Sequence, residues 1–125
     1  MGMSRQPFTS VKASTGVTPV HAVHFDDHAT ITFRPSADAI RATPFGAVAT
    51  FKVVGFVITD KVHAAVITFT SGPVSDSDIS SGCPHITISC ADGVAPFASV
   101  AAIKAAIKDG SVIPTDGPTI GGIIS

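Results

Sequence analysis

The chain has 125 residues, of which 45% are hydrophobic and 14% are charged, and its formal net charge is -1. This length fits one domain, and this composition excludes an intrinsically disordered chain. The nearly neutral charge argues against a broad basic surface, so we expect no extended binding of duplex nucleic acid. A small anionic ligand, or one end of a nucleic acid, is compatible with it.

The cysteines and the start of the chain bear on where the protein works. Cys83 lies before a predicted strand and Cys90 near its end, so their Cα atoms would be roughly 20 Å apart, too far for a disulfide. We therefore expect free thiols, one beside a loop and one in the core, as in a reducing compartment. Residues 1–15 lack the apolar centre of a signal peptide, and no apolar run reaches membrane-spanning length. These features predict a cytoplasmic protein with no membrane partner.

Strand patterns dominate the first half of the chain. Residues 1–16 are rich in Ser and Thr without a clear period, which predicts a flexible N-terminal lead-in to a single domain at residues 17–125. A short helical turn is expected at residues 36–41, stopped before Pro44. Strands are expected at residues 19–25, 28–34, 47–58 and 62–70, the last two joined by a tight turn at 59–61 into a hairpin.

The second half contains the one well-defined helical pattern. Residues 71–82 are rich in Gly, Pro, Ser and Asp and are predicted to form a loop before a strand at residues 84–90. Apolar side chains recur at helical spacing in residues 99–108, with Ser99 as a candidate N-cap and Gly110 as a candidate end. Short strands are expected to follow at residues 111–113 and 119–124. About seven strands with few helices, not regularly alternating, favour an α+β fold with a mostly antiparallel sheet.

Two segments share one pattern, HATITF at residues 28–33 and HITISC at residues 85–90. Because the side chains of a strand alternate between its faces, each segment would direct one imidazole and two hydroxyls to one face. The predicted polar faces are His28, Thr30 and Thr32 in the first segment, and His85, Thr87 and Ser89 in the second. The predicted apolar faces are Ala29, Ile31 and Phe33, and Ile86, Ile88 and Cys90. Two matching strands far apart in the chain suggest two related lobes that face a shared cleft.

Such a pair of imidazoles suits the cleavage of a phosphodiester. One neutral imidazole can take a proton from the attacking water, and an opposing imidazolium can give a proton to the leaving sugar oxygen. The pKa of an imidazole near neutrality fits both tasks, and each contributes about 10²–10⁴-fold. Threonine hydroxyls can donate hydrogen bonds to the non-bridging phosphate oxygens.

The paired His-x-Thr motifs, each followed by an apolar residue, resemble those of the 2H phosphoesterase superfamily. The order of the His28 strand, a hairpin around residues 54–62 and the strand beginning at Pro84 is similar to cyclic phosphodiesterase domains of tRNA-ligase and RNA-repair type. The tail at residues 96–99 and the closing segment 119–122 also look similar. The resemblance covers nearly the whole chain from Val17 onward.

The resemblance implies a fold, a site and an activity. The fold would be a bilobal, pseudo-two-fold sheet with few helices and a central groove. His28 and His85 match the catalytic histidines, and Thr30 and Thr87 match the positions that bind the phosphate. The implied activity is the opening of 2',3'-cyclic phosphates on nucleotides or RNA ends, often to a 2'-phosphate, without a metal or other cofactor. The chain departs from larger members in its short length and single convincing helix.

Other residues are secondary candidates. His24 leads into the His28 strand and could reach the cleft. Arg34 lies on the His28 face about 20 Å further along an extended strand, so it could touch a second nucleotide, although a solvated strand end is the simpler interpretation. Ser99 lies in the tail that resembles the family, but helix capping explains it equally well. His63 has no Thr two residues later and is interpreted as structural.

Two other site types find little support. His21, His24 and His28 raise the question of a metal site, but His21 and His24 would point to opposite faces of a strand. Cys83 and His85 are close in sequence, but no further residue supports a cysteine nucleophile with an oxyanion hole. We therefore predict no metal ligands in this chain.

Three other functions are kept as hypotheses. A non-catalytic module would use the cleft to bind a cyclic nucleotide without turnover. An assembly domain would use exposed edges of the predicted hairpin to pair with another copy, so the oligomeric state is left open. A nuclease that degrades cyclic oligonucleotide signals would use the same histidine chemistry on a different substrate.

Overall fold

The computed structural model describes residues 8–125, which form eight β-strands and two α-helices. The strands are Phe8–Lys12 (β1), Val23–His24 (β2), His28–Phe33 (β3), Val48–Ile58 (β4), Val62–Ser71 (β5), His85–Cys90 (β6), Ile113–Pro114 (β7) and Thr119–Ile124 (β8). The helices are Ala37–Ala42 (α1) and Ala98–Asp109 (α2), and a short 3-10 helix forms at Asp76–Asp78. The predicted elements recur at nearly their predicted positions, except that the strand expected at 19–25 shrinks to the two residues of β2.

Six strands form a closed barrel in the order β6, β3, β1, β8, β4 and β5, because β5 also pairs with β6. The small strands β2 and β7 attach to β6 and β4, and all the observed pairs are antiparallel. The prediction of an α+β fold with a mostly antiparallel sheet and few helices is therefore confirmed. The described strands close one ring rather than two separate sheets, so the bilobal expectation is not confirmed.

Residues 8–12 of the predicted flexible lead-in form strand β1. Strand β1 lies between β3 and β8 in the barrel wall, and its residues Thr9, Ser10 and Val11 are buried. Further on, the Asp26 carboxylate accepts hydrogen bonds from the backbone and side chains of residues 14–16. These long-range hydrogen bonds hold the segment in place, although its sequence has no apolar period. The part of the prediction that concerns residues 1–7 lies outside the described residues.

The inner faces of the six strands form the main core. Ile86 and Ile88 on β6 are fully buried, as is Phe51 on β4, and Ala29 and Ile31 on β3 join the same cluster. Burial of one large apolar side chain contributes about 1.5–3 kcal/mol to stability. The predicted inward faces of β3 and β6 are confirmed by this core at every position but one, the last residue of β3.

That exception is Phe33, whose side chain is 58% exposed. In the pairing of β1 with β3, Thr9 faces Thr32 and Ser10 faces Thr30, so Ile31 is an extra residue on β3. Such a β-bulge disrupts the alternation of side chains and re-aims the residues that follow it. The prediction that Phe33 belongs to the core is therefore wrong.

Helix α2 packs on the outside of the barrel. Ile103 and Ala106 are buried in a second core cluster that includes Cys83, whereas Ile107 is 59% exposed. The helix ends at Gly110 in the left-handed conformation, with φ of 77°, as predicted. Within residues 8–125, no helix is long and apolar enough to span a lipid bilayer.

Both cysteines are free and buried, in agreement with the sequence. Burial raises the pKa of the Cys90 thiol, because a thiolate loses more solvation than a thiol does when it leaves water. Cys90 is thus part of the packed wall of the barrel rather than a reactive group.

Candidate functional site

A groove of about 710 Å³ lies on the outer face of β3 and β6. Its lining includes His28 and Thr30 from β3 and His85 and Thr87 from β6, which are the four residues predicted to form the site. Aromatic side chains surround them, namely Phe8, Phe25, Phe33 and Phe97. The structure therefore brings both His-x-Thr motifs into one groove.

The two motifs meet because β3 and β6 are neighbouring antiparallel strands in which Ala29 faces Ile86. The same register, extended by one residue in each direction, places His28 opposite Thr87 and Thr30 opposite His85. The two histidines are then diagonal neighbours, and the Cα atoms of such neighbours are about 7–8 Å apart. Both side chains line the same groove.

His28 is held in place by two contacts. Its Nδ1 lies 2.7 Å from the Asp27 Oδ1, and since a carboxylate only accepts, Nδ1–H is the donor. The ring of Phe8 stacks on the imidazole with 4.7 Å between the centroids and an interplanar angle of 20°. These contacts leave Nε2 of His28 free of a protein partner within residues 8–125. The sequence interpretation missed both Asp27 and Phe8, although an acidic residue directly before a candidate catalytic histidine is a usable signal.

His85 has a different partner and a more enclosed position. Its Nδ1–H donates to the backbone carbonyl of Cys83 at 2.7 Å, so the neutral ring carries its lone pair on Nε2. Burial lowers the pKa of His85, and the nearby His28 charge lowers the pKa further, while the hydrogen bond to Cys83 opposes this change. His85 is therefore neutral near pH 7 and can accept a proton.

The two threonines differ as well. The Thr87 hydroxyl lies 2.9 Å from the Ser99 hydroxyl and also donates to the carbonyl of Pro96 at 3.3 Å. No protein partner is found for the Thr30 hydroxyl among the described residues, so Thr30 can donate directly to a bound anion. Thr87 can do so after its hydroxyl hydrogen turns away from Pro96, while Ser99 continues to donate to the Thr87 oxygen.

The structure also separates the secondary candidates. Ser99 does not cap α2: it lies inside the first turn, is fully buried and bonds to Thr87. Arg34 lines the groove, and its guanidinium carbon is 5.5 Å from the centre of the Phe33 ring. His24 is exposed on β2 and is not among the residues that line the groove.

The remaining candidates have other surroundings. His21 Nε2 bonds to the backbone carbonyl of Thr59, and His63 is buried with no hydrogen-bond partner for Nδ1 within the described part of the chain. The side chain of Cys83 packs in the second core cluster and does not line the groove. In residues 8–125, no three His, Cys, Asp or Glu side chains cluster in a way that could hold a metal ion.

Comparison with known proteins adds no family assignment. No family model matches the chain, and no curated protein sequence matches it. The resemblance to the 2H superfamily therefore stays a prediction from the sequence.

Proposed function

We propose that this protein is a 2H-type phosphodiesterase that opens 2',3'-cyclic phosphates on nucleotides or RNA ends by histidine acid–base catalysis. The observation that carries the proposal is the groove in which His28 and His85 each use Nδ1 for a hydrogen bond, while Nε2 has no protein partner among residues 8–125. Two imidazoles held in this way supply both proton transfers that hydrolysis of a phosphodiester requires, without a metal ion.

His85 is the general base in this proposal. Its pKa is lowered by burial, so it is neutral at physiological pH, and its tautomer carries the lone pair on Nε2. Nε2 takes a proton from water as the water oxygen forms a bond to phosphorus. The Thr30 and Thr87 hydroxyls donate to the non-bridging oxygens, where negative charge increases in the transition state.

His28 is the general acid. The Asp27 carboxylate accepts from Nδ1–H, so Nε2 is the ring nitrogen that carries the proton to be transferred. That proton passes to the sugar oxygen as its bond to phosphorus breaks, which yields a phosphomonoester and a free hydroxyl. Departure of the 3'-oxygen would give the 2'-phosphate product. Solvent then returns a proton to His28 and removes one from His85.

The test is hydrolysis of 2',3'-cyclic nucleotides by the purified protein in the presence of a chelator, with the products resolved by chromatography. We expect turnover by the wild type and a loss of about 10²–10⁴-fold in kcat for His28→Ala and for His85→Ala. His24→Ala is the matched control, since His24 is exposed and lies outside the groove lining. Circular dichroism verifies that each variant is folded.

Several outcomes would contradict the proposal. Full activity in either His28→Ala or His85→Ala would exclude the paired mechanism, and strict dependence on an added divalent ion would exclude the metal-independent one. Binding of cyclic nucleotides without turnover would indicate a binding module instead. Turnover of cyclic dinucleotides or trinucleotides, but not of 2',3'-cyclic phosphates, would indicate a nuclease that acts on cyclic oligonucleotides.

A further inference from the structure

The groove extends beyond the two histidines toward Phe33, at the end of β3. Because of the bulge at Ile31, Phe33 turns away from the core and lines the groove with 58% of its surface exposed. An apolar ring held in solvent at the edge of a groove loses the stabilisation of burial, which makes it a candidate contact for a ligand. Ser80 fixes this end of the strand, since its hydroxyl accepts the Phe33 N–H at 3.1 Å.

Arg34 adds a cation to the same end. Its backbone has φ of 53°, in the left-handed region that residues other than glycine rarely adopt, and strained residues of this kind concentrate at functional sites. The guanidinium lies over the Phe33 ring, and both side chains line the groove. An exposed aromatic ring beside an arginine is the combination on which single-stranded nucleic acids stack their bases.

A second aromatic group lies at the opposite end. The Phe25 N–H donates to the carbonyl of Ile88, one residue beyond Thr87 on β6, so Phe25 lies past the motifs in the direction away from Phe33. Phe97 follows Pro96, whose carbonyl accepts a hydrogen bond from Thr87, and its ring is 77% exposed. Phe25 therefore lies at the end of the groove opposite Phe33, and Phe97 follows the residue that bonds to Thr87.

The charges along the groove agree with a substrate that carries more than one phosphate. No acidic side chain is among the described residues that line it, whereas Arg34 supplies a positive charge at the Phe33 end. A mononucleotide would bring a single base and a single phosphate, so it would leave one aromatic end and Arg34 without a partner.

We propose that the groove binds an oligonucleotide end with two bases, one stacked on Phe97 and the other on Phe33 beside Arg34. This inference rests on the proposed function. The ribose that bears the cyclic phosphate lies on the His28 side, because His28 protonates its leaving oxygen, and its base reaches Phe97. The preceding base reaches Phe33, and Arg34 pairs with the phosphate that links the two nucleosides.

The experiment compares kcat/KM for adenosine 2',3'-cyclic phosphate with that for the dinucleotide ApA ending in a 2',3'-cyclic phosphate. The wild type should favour the dinucleotide by about 5- to 150-fold, the range for stacking of one base on an aromatic side chain. Phe33→Ala and Arg34→Gln should lower this ratio toward one. Phe97→Ala should lower both values by a similar factor and leave the ratio in place. Phe45→Ala is the matched control, since Phe45 is 45% exposed but does not line the groove.

A calorimetric arm separates this inference from the proposed function. Adenosine 2'-monophosphate and ApA with a terminal 2'-phosphate are titrated into the wild type and Phe33→Ala, which requires no turnover. Tighter binding of the dinucleotide that is lost in Phe33→Ala supports the two-base groove even if catalysis is absent. Equal affinities and equal kcat/KM for the short and long ligands, or a Phe33→Ala effect of the same size on both, would overturn it.

Discussion

The two histidine strands have the same sequence pattern but different surroundings. Strand β6 pairs with β2, β3 and β5, and its inward residues are fully buried. Strand β3 contains the bulge at Ile31 and ends with an exposed aromatic ring and a strained arginine. The half-buried ring of His85 donates to a backbone carbonyl, while His28 donates to a carboxylate at the surface.

This comparison teaches how one motif can supply two opposite roles. Burial favours the neutral form of the His85 imidazole, which suits a base, whereas the Asp27 carboxylate accepts from Nδ1 of His28 and leaves Nε2 as the nitrogen that can donate a proton. The His-x-Thr motif is the same in both strands, so only the surroundings of each histidine distinguish the proposed acid from the proposed base. Three kinetic predictions test this difference between the strands, and a fourth concerns the stability of the fold.

The largest effect is expected from removing each ring in turn. For the wild type, kcat/KM should fall as the pH drops through the pKa of His85, which burial places below 6.5, because the base becomes protonated. His28→Gln should lose about 10²–10⁴-fold in rate and keep this acid limb, and His85→Gln should lose a similar factor together with the limb. Rates measured from pH 4.5 to 9 check this. An acid limb that survives in His85→Gln would refute the assignment of the base.

A smaller effect is expected at Ser99, which orients Thr87 on the β6 side only. Ser99→Ala removes a buried hydrogen bond worth about 1 kcal/mol, which corresponds to roughly a five-fold loss in kcat. The matched control is Ser89→Ala, which removes a buried hydroxyl of the same strand that accepts from the backbone N–H of His21 and does not line the groove. Steady-state kinetics on a 2',3'-cyclic nucleotide measure both. Equal rates in Ser99→Ala and the wild type would show that Thr87 needs no such support.

A still smaller effect is expected at Asp27, the partner of His28. Asp27→Asn keeps an oxygen acceptor but removes the charge, and the Asp27 side chain is 71% exposed, so solvent screens the pair. We expect about a three-fold lower kcat, since exposed charge pairs contribute about 0.2–1 kcal/mol. The difference from wild type should shrink at 1 M salt, whereas Asp60→Asn in the β4–β5 turn should behave as wild type. A loss that is independent of salt would mean that Asp27 acts through geometry alone.

The smallest effect concerns stability rather than catalysis. Burial lowers the pKa of His63, as it does for His85, and the positive charge of His21 lowers it further. Below pH 6.5, the pKa of the unfolded histidine, the unfolded chain binds more protons than the folded one. The contribution of His63 to the free energy of unfolding is therefore complete above pH 6.5 and decreases as the pH falls. Urea unfolding at pH 7.5 and pH 5 measures this loss.

Replacement of His63 identifies its share of that pH dependence. His63→Leu should reduce the difference between pH 7.5 and pH 5, because it removes the buried ring whose pKa differs between the folded and the unfolded chain. The exposed His24→Leu should leave the difference as in wild type. An unchanged pH dependence in His63→Leu would assign the effect to other groups.

Much of the fold follows from local patterns in the sequence. The β4–β5 hairpin, the helix that ends at Gly110 and the alternation of β6 were all predicted, because β-branched runs, glycine and a period of two act over short distances. The failures are at β1 and Phe33. Strand β1 has no apolar alternation and is stabilised by hydrogen bonds to distant strands, and Phe33 is redirected by a bulge that depends on its pairing with β1.

The candidate site was predicted as four residues, and the groove contains all four. Its asymmetry was not predicted, because it depends on what lies next to each ring. The contact of Asp27 with its neighbour His28 is local and can be predicted from the sequence. The stacking of Phe8 on His28 and the hydrogen bond of Ser99 to Thr87 join segments that are far apart in the chain.

Local sequence patterns predicted most of the strands, the apolar and polar faces of β3 and β6 except at Phe33, and a candidate site of two histidines and two threonines. They did so because side-chain period and residue chemistry are local properties. The pairing of β3 with β6 and the closure of six strands into a barrel are seen only in the tertiary structure. The same holds for the two imidazoles, one of which is enclosed while the other contacts a carboxylate. Those features depend on which strands pair and on how much water each ring keeps, and both arise only when distant segments pack together.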